Sequence, residues 1–201
     1  MANANRPSGL SPVGYLSGAK WNGQARRYCI PSSDGNAYAI GDPVVLAGSA
    51  DSAGVSTVVL ATPGSGLTGV IVGMGGRLYG GPSADPTNLN TTVIPATKTY
   101  AYYVDVVDDP NVIFQVQEVG TGTTLVATAV GLNCNLVAAA NNGYVSGWML
   151  DNSTEATTDT LDVKLLGLAQ LAPPDANAFG AYAKWLVLIN NHTYRTGITG
   201  K

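Results

Sequence analysis

Glycine and proline punctuate this chain so densely that its apolar residues come only in short runs. The 201 residues include 25 Gly and 11 Pro. "RRYCI" (26–30) stops at Pro31 and the turn-like "SSDGN". An apolar, β-branched run at 44–47 follows a tight Gly-Asp-Pro turn, and "DSAGVS" closes it. "TVVLA" (57–61) is followed by "PGSG", and then by "GVIVGM" (69–74). Runs of five or six residues at roughly ten-residue spacing predict a barrel or sandwich, not alternating β and α units. The expectation is therefore an all-β chain: a single β-barrel or β-sandwich domain with under about 15% helix.

Further along, two segments alternate strictly. "TYAYYVDVV" puts Tyr100, Tyr102, Val104 and Val106 on one face, and "NVIFQVQEV" puts Val112, Phe114 and Val116 on one face. "DDPN" (108–111) separates them and has the composition of a four-residue turn. The pair reads as a β-hairpin over 99–119 with Phe114 in the core. "GTTLVATAVGLN" fits either a two-turn helix or a strand. "LDVKLLGL" (161–168) reads as a strand, and "AKWLVLIN" (183–190), apolar almost throughout, as a central one. The stretch around 73–92 reads as a loop insertion.

Composition excludes several functions. Only 11% of residues are charged and the net charge is −3, with the basic residues scattered. Nucleic acid binding needs a basic patch, so no nucleic acid partner is expected. No apolar run reaches 18 residues, so no membrane span is expected. No continuous apolar stretch near the start reads as a secretory signal. The sequons at Asn90, Asn152 and Asn191 then read as products of Asn/Thr richness. Cys29 and Cys134 are expected to be free and buried. A surface this poor in charge is weakly protected against association, which suits life in an assembly.

Chemistry finds little support. The single histidine, His192, has no G-x-S-x-G elbow to serve and reads as a surface or capping residue. The glycine-rich "GMGGRLYGG" (73–81) lacks the Lys-Ser/Thr ending of a phosphate loop and the third glycine of a dinucleotide loop. Asp105, Asp108 and Asp109 cluster without the oxygen-rich loop that calcium requires, and so read as turn residues. The expectation is no enzyme, no catalytic residue, no cofactor and no metal. Ten Tyr against two Phe, with Trp21, Trp148 and Trp185, favour interfaces or sugar stacking, since these side chains bury area and keep a polar end.

Residues 1–24 hold Pro7, Pro12, Gly9, Gly14 and Gly18, which exclude a helix, yet they carry Leu10, Val13, Tyr15, Leu16 and Trp21. They read as an extended arm, 1–24, preceding a β domain, 25–201. "NRPSGLSPVGYLSGAKWNGQ", "AYAIGDPVV", "VDDPNVIFQVQE" and "KWLVLINNHT" together resemble small β-rich head proteins of tailed bacteriophages. These are decoration or cement subunits of the capsid exterior. The resemblance implies a structural virion protein, assembled in the host cytoplasm, that stabilises the shell by bridging neighbouring major capsid subunits. It implies self-association as a homotrimer or homodimer, and an arm whose Leu10, Val13, Tyr15, Leu16 and Trp21 cover the capsid protein. The alternative is a virion-surface module that binds host glycans or another receptor.

Overall fold

The structure, a computed structural model, describes residues 3–75, 92–171, 176–197 and 199–200. Among the described residues fourteen strands follow one another. They are β1 (Ser11–Tyr15), β2 (Arg26–Ile30), β3 (Tyr38–Ala39), β4 (Pro43–Ala50), β5 (Ser56–Leu60), β6 (Gly69–Gly75) and β7 (Val93–Ile94). Then come β8 (Tyr102–Val107), β9 (Val112–Gln117), β10 (Asn133–Cys134), β11 (Leu136–Val137), β12 (Met149–Leu150), β13 (Val163–Leu168) and β14 (Lys184–Ile189). Among the described residues the helical element is one 3-10 turn at Ala127–Ala129, so "GTTLVATAVGLN" is neither a two-turn helix nor a strand. The all-β expectation holds.

Five strands close a barrel in the order β2-β5-β4-β6-β8. Its interior is filled by Tyr28, Ile30, Val44, Val58, Ile71, Val104 and Val106, with Tyr38 and Ile94 at one end. These are the alternate residues of each strand, as a closed barrel requires. Closure comes from one parallel pairing, Cys29 with Thr57. Lys98 closes the end near Tyr38. Its buried ammonium donates to the carbonyls of Asp34 (2.7 Å) and Asn36 (2.6 Å) and lies 5.2 Å from the Tyr38 ring centre.

The remaining large sheet runs β1-β9-β14-β13-β10. One face packs Phe114, Val116, Trp185, Val187, Val163 and Leu165 against Leu67, Val70 and Val107 from the barrel exterior. The fold is thus a barrel backed by a sandwich layer. β14 lies between β9 and β13, the central place that its continuous apolarity predicts. Both cysteines are buried and unpaired.

Two expectations are corrected. Residues 99–119 are not a hairpin. Both edges of β8 are taken within the barrel, by β2 and β6, so β9 has no edge to pair with. At 108–111 the chain instead crosses from barrel to sheet. Asp108 anchors the corner, accepting from the Tyr28 hydroxyl (2.7 Å) and ion-pairing with Arg26 (3.1 Å). The inward set Val112, Phe114 and Val116 is as the alternation predicts.

Residues 1–24 are not a free arm either. β1 is the edge strand of the sheet, pairing antiparallel with β9 from Ser11–Gln115 to Tyr15–Val112. The chain then turns back on itself, with Tyr15 N donating to Ala19 O (2.8 Å) and Trp21 N to Val13 O (3.4 Å). Upstream, Asn3 bonds the carbonyls of Ala178 and Ala181, and Gln117 holds Asn5 and the Arg6 amide. Prolines and glycines exclude a helix but not an edge strand with a bulge, and that is what forms. Of the 73–92 insertion, Gly73–Gly75 belong to β6; residues 76–91 lie outside the described residues, as does most of the glycine-rich stretch.

Candidate interaction face

The ionisable side chains that sequence singled out are occupied by the fold. Asp105 takes a two-point ion pair from Arg27, with Nε to Oδ1 at 2.9 Å and Nη2 to Oδ2 at 3.2 Å. Asp108 holds the barrel–sheet corner, and Asp109 accepts from the Asn111 amide (2.8 Å), an ordinary turn cap. Among the described residues no group of three or more His, Cys, Asp or Glu is placed to hold a metal ion. His192 is buried rather than on the surface. Its Nδ1 accepts from the Tyr194 amide (3.0 Å), so Nε2 carries the proton when the ring is neutral. Burial holds its pKa down at about 4.

Three buried carboxyls escaped the sequence reading, because nothing local marks them. Asp162 receives amides from Gly64 (2.9 Å) and Leu136 (3.0 Å), tying segments 98 and 26 residues upstream to the start of β13. Asp42 receives the Ala39 amide (2.7 Å) in the tight turn before β4. Burial raises the pKa of both. Glu118 accepts from Trp185 Nε1 (2.9 Å), and its second oxygen has no partner among the described residues. Burial pushes its pKa up to about 7. Asp42 also borders an open cleft of about 300 Å³ whose other walls are Ala37, Leu60, Ala138–Asn141 and Trp148. These walls are mostly methyl groups, with few polar groups to orient a ligand.

The five residues expected to contact a partner divide. Leu10 is 1% exposed in the core, and Tyr15 and Trp21 pack against that core. Val13 and Leu16 face outward, 40% and 56% exposed. Val13 is the extra residue of a bulge between Pro12 and Gly14, and a bulge re-aims the side chain it carries. Leu16 caps the turn, its amide bonded to Asn111 O (2.8 Å).

Beside Val13 lies a face that sequence reading missed. Since the odd residues of β14 and the even residues of β9 fill the core, alternation turns Ile113, Leu186 and Leu188 to the opposite side of the sheet. Ile113 pairs with Leu188, and Leu186 with Gln115, so these aliphatic side chains adjoin across the strands. Ile113 and Leu186 are half-buried, whereas Leu188, at 4% exposure, is already covered by the chain itself. Lys164, opposite Leu188, and Lys184, at the start of β14, flank them. The run "KWLVLI" held the signal, because an antiparallel strand with one solvated face normally carries polar residues there. Comparison with known proteins finds no matching family model, no matching curated protein and no matching solved structure.

Proposed function

We propose that this chain is a structural virion protein that decorates a phage capsid from outside and stabilises it by bridging neighbouring major capsid subunits. One observation carries the reading: Val13 and Leu16 are exposed at the edge of the sheet, beside the half-buried Ile113 and Leu186 on its outward side, an apolar surface that supports docking on a partner. The low charge of the chain and its resemblance to head decoration proteins support the same reading. Bridging then falls to Val13 and Leu16 and the adjoining sheet face. Leu10, Tyr15 and Trp21 hold the N-terminal segment in place on its own subunit. Self-association as a homotrimer or homodimer would repeat each contact around a symmetry axis of the shell.

The test uses heads of the virus that encodes the chain, assembled without it and then saturated with the purified protein. Electron microscopy should show added density on the exterior, and decorated heads should release their genome at a higher temperature. Equal heat resistance with and without the protein, or no binding, overturns the proposal.

A further inference from the structure

The chain contains two Asn-Gly pairs, Asn22–Gly23 and Asn142–Gly143. In such a pair the main-chain nitrogen of the glycine can attack the asparagine side-chain amide, since glycine has no Cβ to obstruct the approach. In a free chain the attack is slow. An amide carbon is a poor electrophile, and the negative charge that gathers on Oδ1 has only water to answer it. Fixed donors aimed at Oδ1 lower that barrier.

The fold supplies such donors at Asn22. Its Oδ1 lies 3.0 Å from the Tyr15 hydroxyl and 3.3 Å from the Gln24 amide nitrogen. The Gln24 amide can only donate, so the atom between the two is the carbonyl oxygen, and the hydroxyl donates to it as well. Gln24 Oε1 is a second, more distant acceptor for that hydroxyl, at 3.3 Å. Tyr15 is held in place: its ring packs against the core and its backbone pairs with Val112. Trp21 Nε1 donates to Gln24 O (3.3 Å) and closes the turn around Asn22. Asn22 and Gly23 are exposed, and Gly23, at φ +87°, has open space where a Cβ would stand. Its amide has no hydrogen-bond partner among the described residues. Asn142 differs at the nucleophile. Its Oδ1 also receives two amides, from Tyr144 and Val145 (both 3.0 Å), but the Gly143 amide is engaged, donating to Asn141 Oδ1 (3.1 Å).

We infer that the fold promotes its own covalent modification at Asn22. Gly23 N bonds to Asn22 Cγ and gives its proton to solvent hydroxide, while Tyr15 and Gln24 hold the charge on Oδ1. The Cγ–Nδ2 bond then breaks. Its nitrogen takes a proton from water and leaves as ammonia, and a cyclic imide remains. Water opens the ring at either carbonyl and leaves aspartate or isoaspartate at position 22. A water is consumed and an ammonia released; nothing is oxidised or reduced. Either product adds a negative charge. Isoaspartate also adds a carbon to the main chain beside Trp21, whose amide donates to Val13 O.

The test incubates the purified full chain in mildly alkaline buffer and maps its peptides by mass spectrometry, reading the exchange of NH2 for OH at each asparagine. Asn22 should convert before Asn142, with isoaspartate among the products, and faster in the folded chain than in the same chain unfolded in guanidinium. Tyr15→Phe should slow conversion at Asn22 about 3- to 10-fold, the loss of one hydrogen bond to the developing charge, and leave Asn142 at the parent rate. A melting curve like the parent's certifies the variant; if it does not fold, the folded and unfolded parent carry the test. Slower conversion of Asn22 in the folded chain overturns the inference, as does a folded Tyr15→Phe chain that converts at the parent rate. So does conversion of Asn142 first. No capsid enters the measurement, so each of these outcomes leaves the decoration reading where it stands.

Discussion

Leu10 shows how little of a residue's role is written beside it. Its side chain is in the core, and its amide donates to Gly41 O (3.0 Å), 31 positions along the chain. Close approach there needs two glycines. Gly9, at φ +64°, and Gly41, at φ +95°, lie so near each other's segments that a Cβ on either would overlap a backbone carbonyl oxygen. Proline and glycine spacing around Leu10 says only that the segment is extended; its partners are remote, so the sequence left it looking unattached. Leu10→Ala should destabilise the fold by about 2–5 kcal/mol in urea unfolding, the range for truncating a buried leucine. Were Leu10 merely a contact for another protein, the isolated chain would unfold as the parent does.

At the scale of elements, periodicity revealed which strands exist and which faces they bury, but not which edges they pair. The alternation of Val112, Phe114 and Val116 is enough to aim them inward. Nothing in "DDPN" tells whether the next strand returns along β8 or leaves for another sheet, because that depends on β2 and β6 having occupied both edges of β8. Phe114→Ala should cost about 3–5 kcal/mol. Ile113→Ala, one residue away on the outer side, should cost markedly less, and equal losses would show the faces reversed. The candidate face was half legible for the same reason: continuous apolarity in β14 announced a central strand, while how far its other side is covered depends on remote segments, which leave Leu186 half-buried but bury Leu188.

For the molecule as a whole, buried groups tilt stability with pH in opposite directions: Asp42 and Asp162, raised by burial, act in the same sense as Glu118 and against His192. Glu118 has its pKa raised from 4.5 to about 7, so the fold favours the protonated acid; its contribution is full below pH 4.5 and is lost as pH rises toward 7. His192 has its pKa lowered from 6.5 to about 4, so the fold favours the neutral ring; its contribution is full above pH 6.5 and is lost as pH falls toward 4. Between these limits the two slopes, each at most about 1.4 kcal/mol per pH unit, oppose each other. Removing one should unmask the other. Relative to the parent, Glu118→Gln should give a melting temperature that climbs from pH 4.5 to 6.5, and His192→Gln one that falls over the same interval. Parallel profiles for the two variants would refute the opposition.

The place of β14 in the sheet also governs when the molecule can exist. β14 is the last strand in the chain, yet it sits between β9 and β13 and joins them. A ribosome adding about 5–20 residues per second needs roughly ten to thirty seconds to travel from β1 to β14. Through that interval the barrel strands can meet, but β1 and β9 on one side and β13 on the other have nothing between them. Until residues 184–189 emerge, β9 and β13, with Phe114 and Leu165 among their inward side chains, lack the strand that joins them, so the sheet is completed late in synthesis.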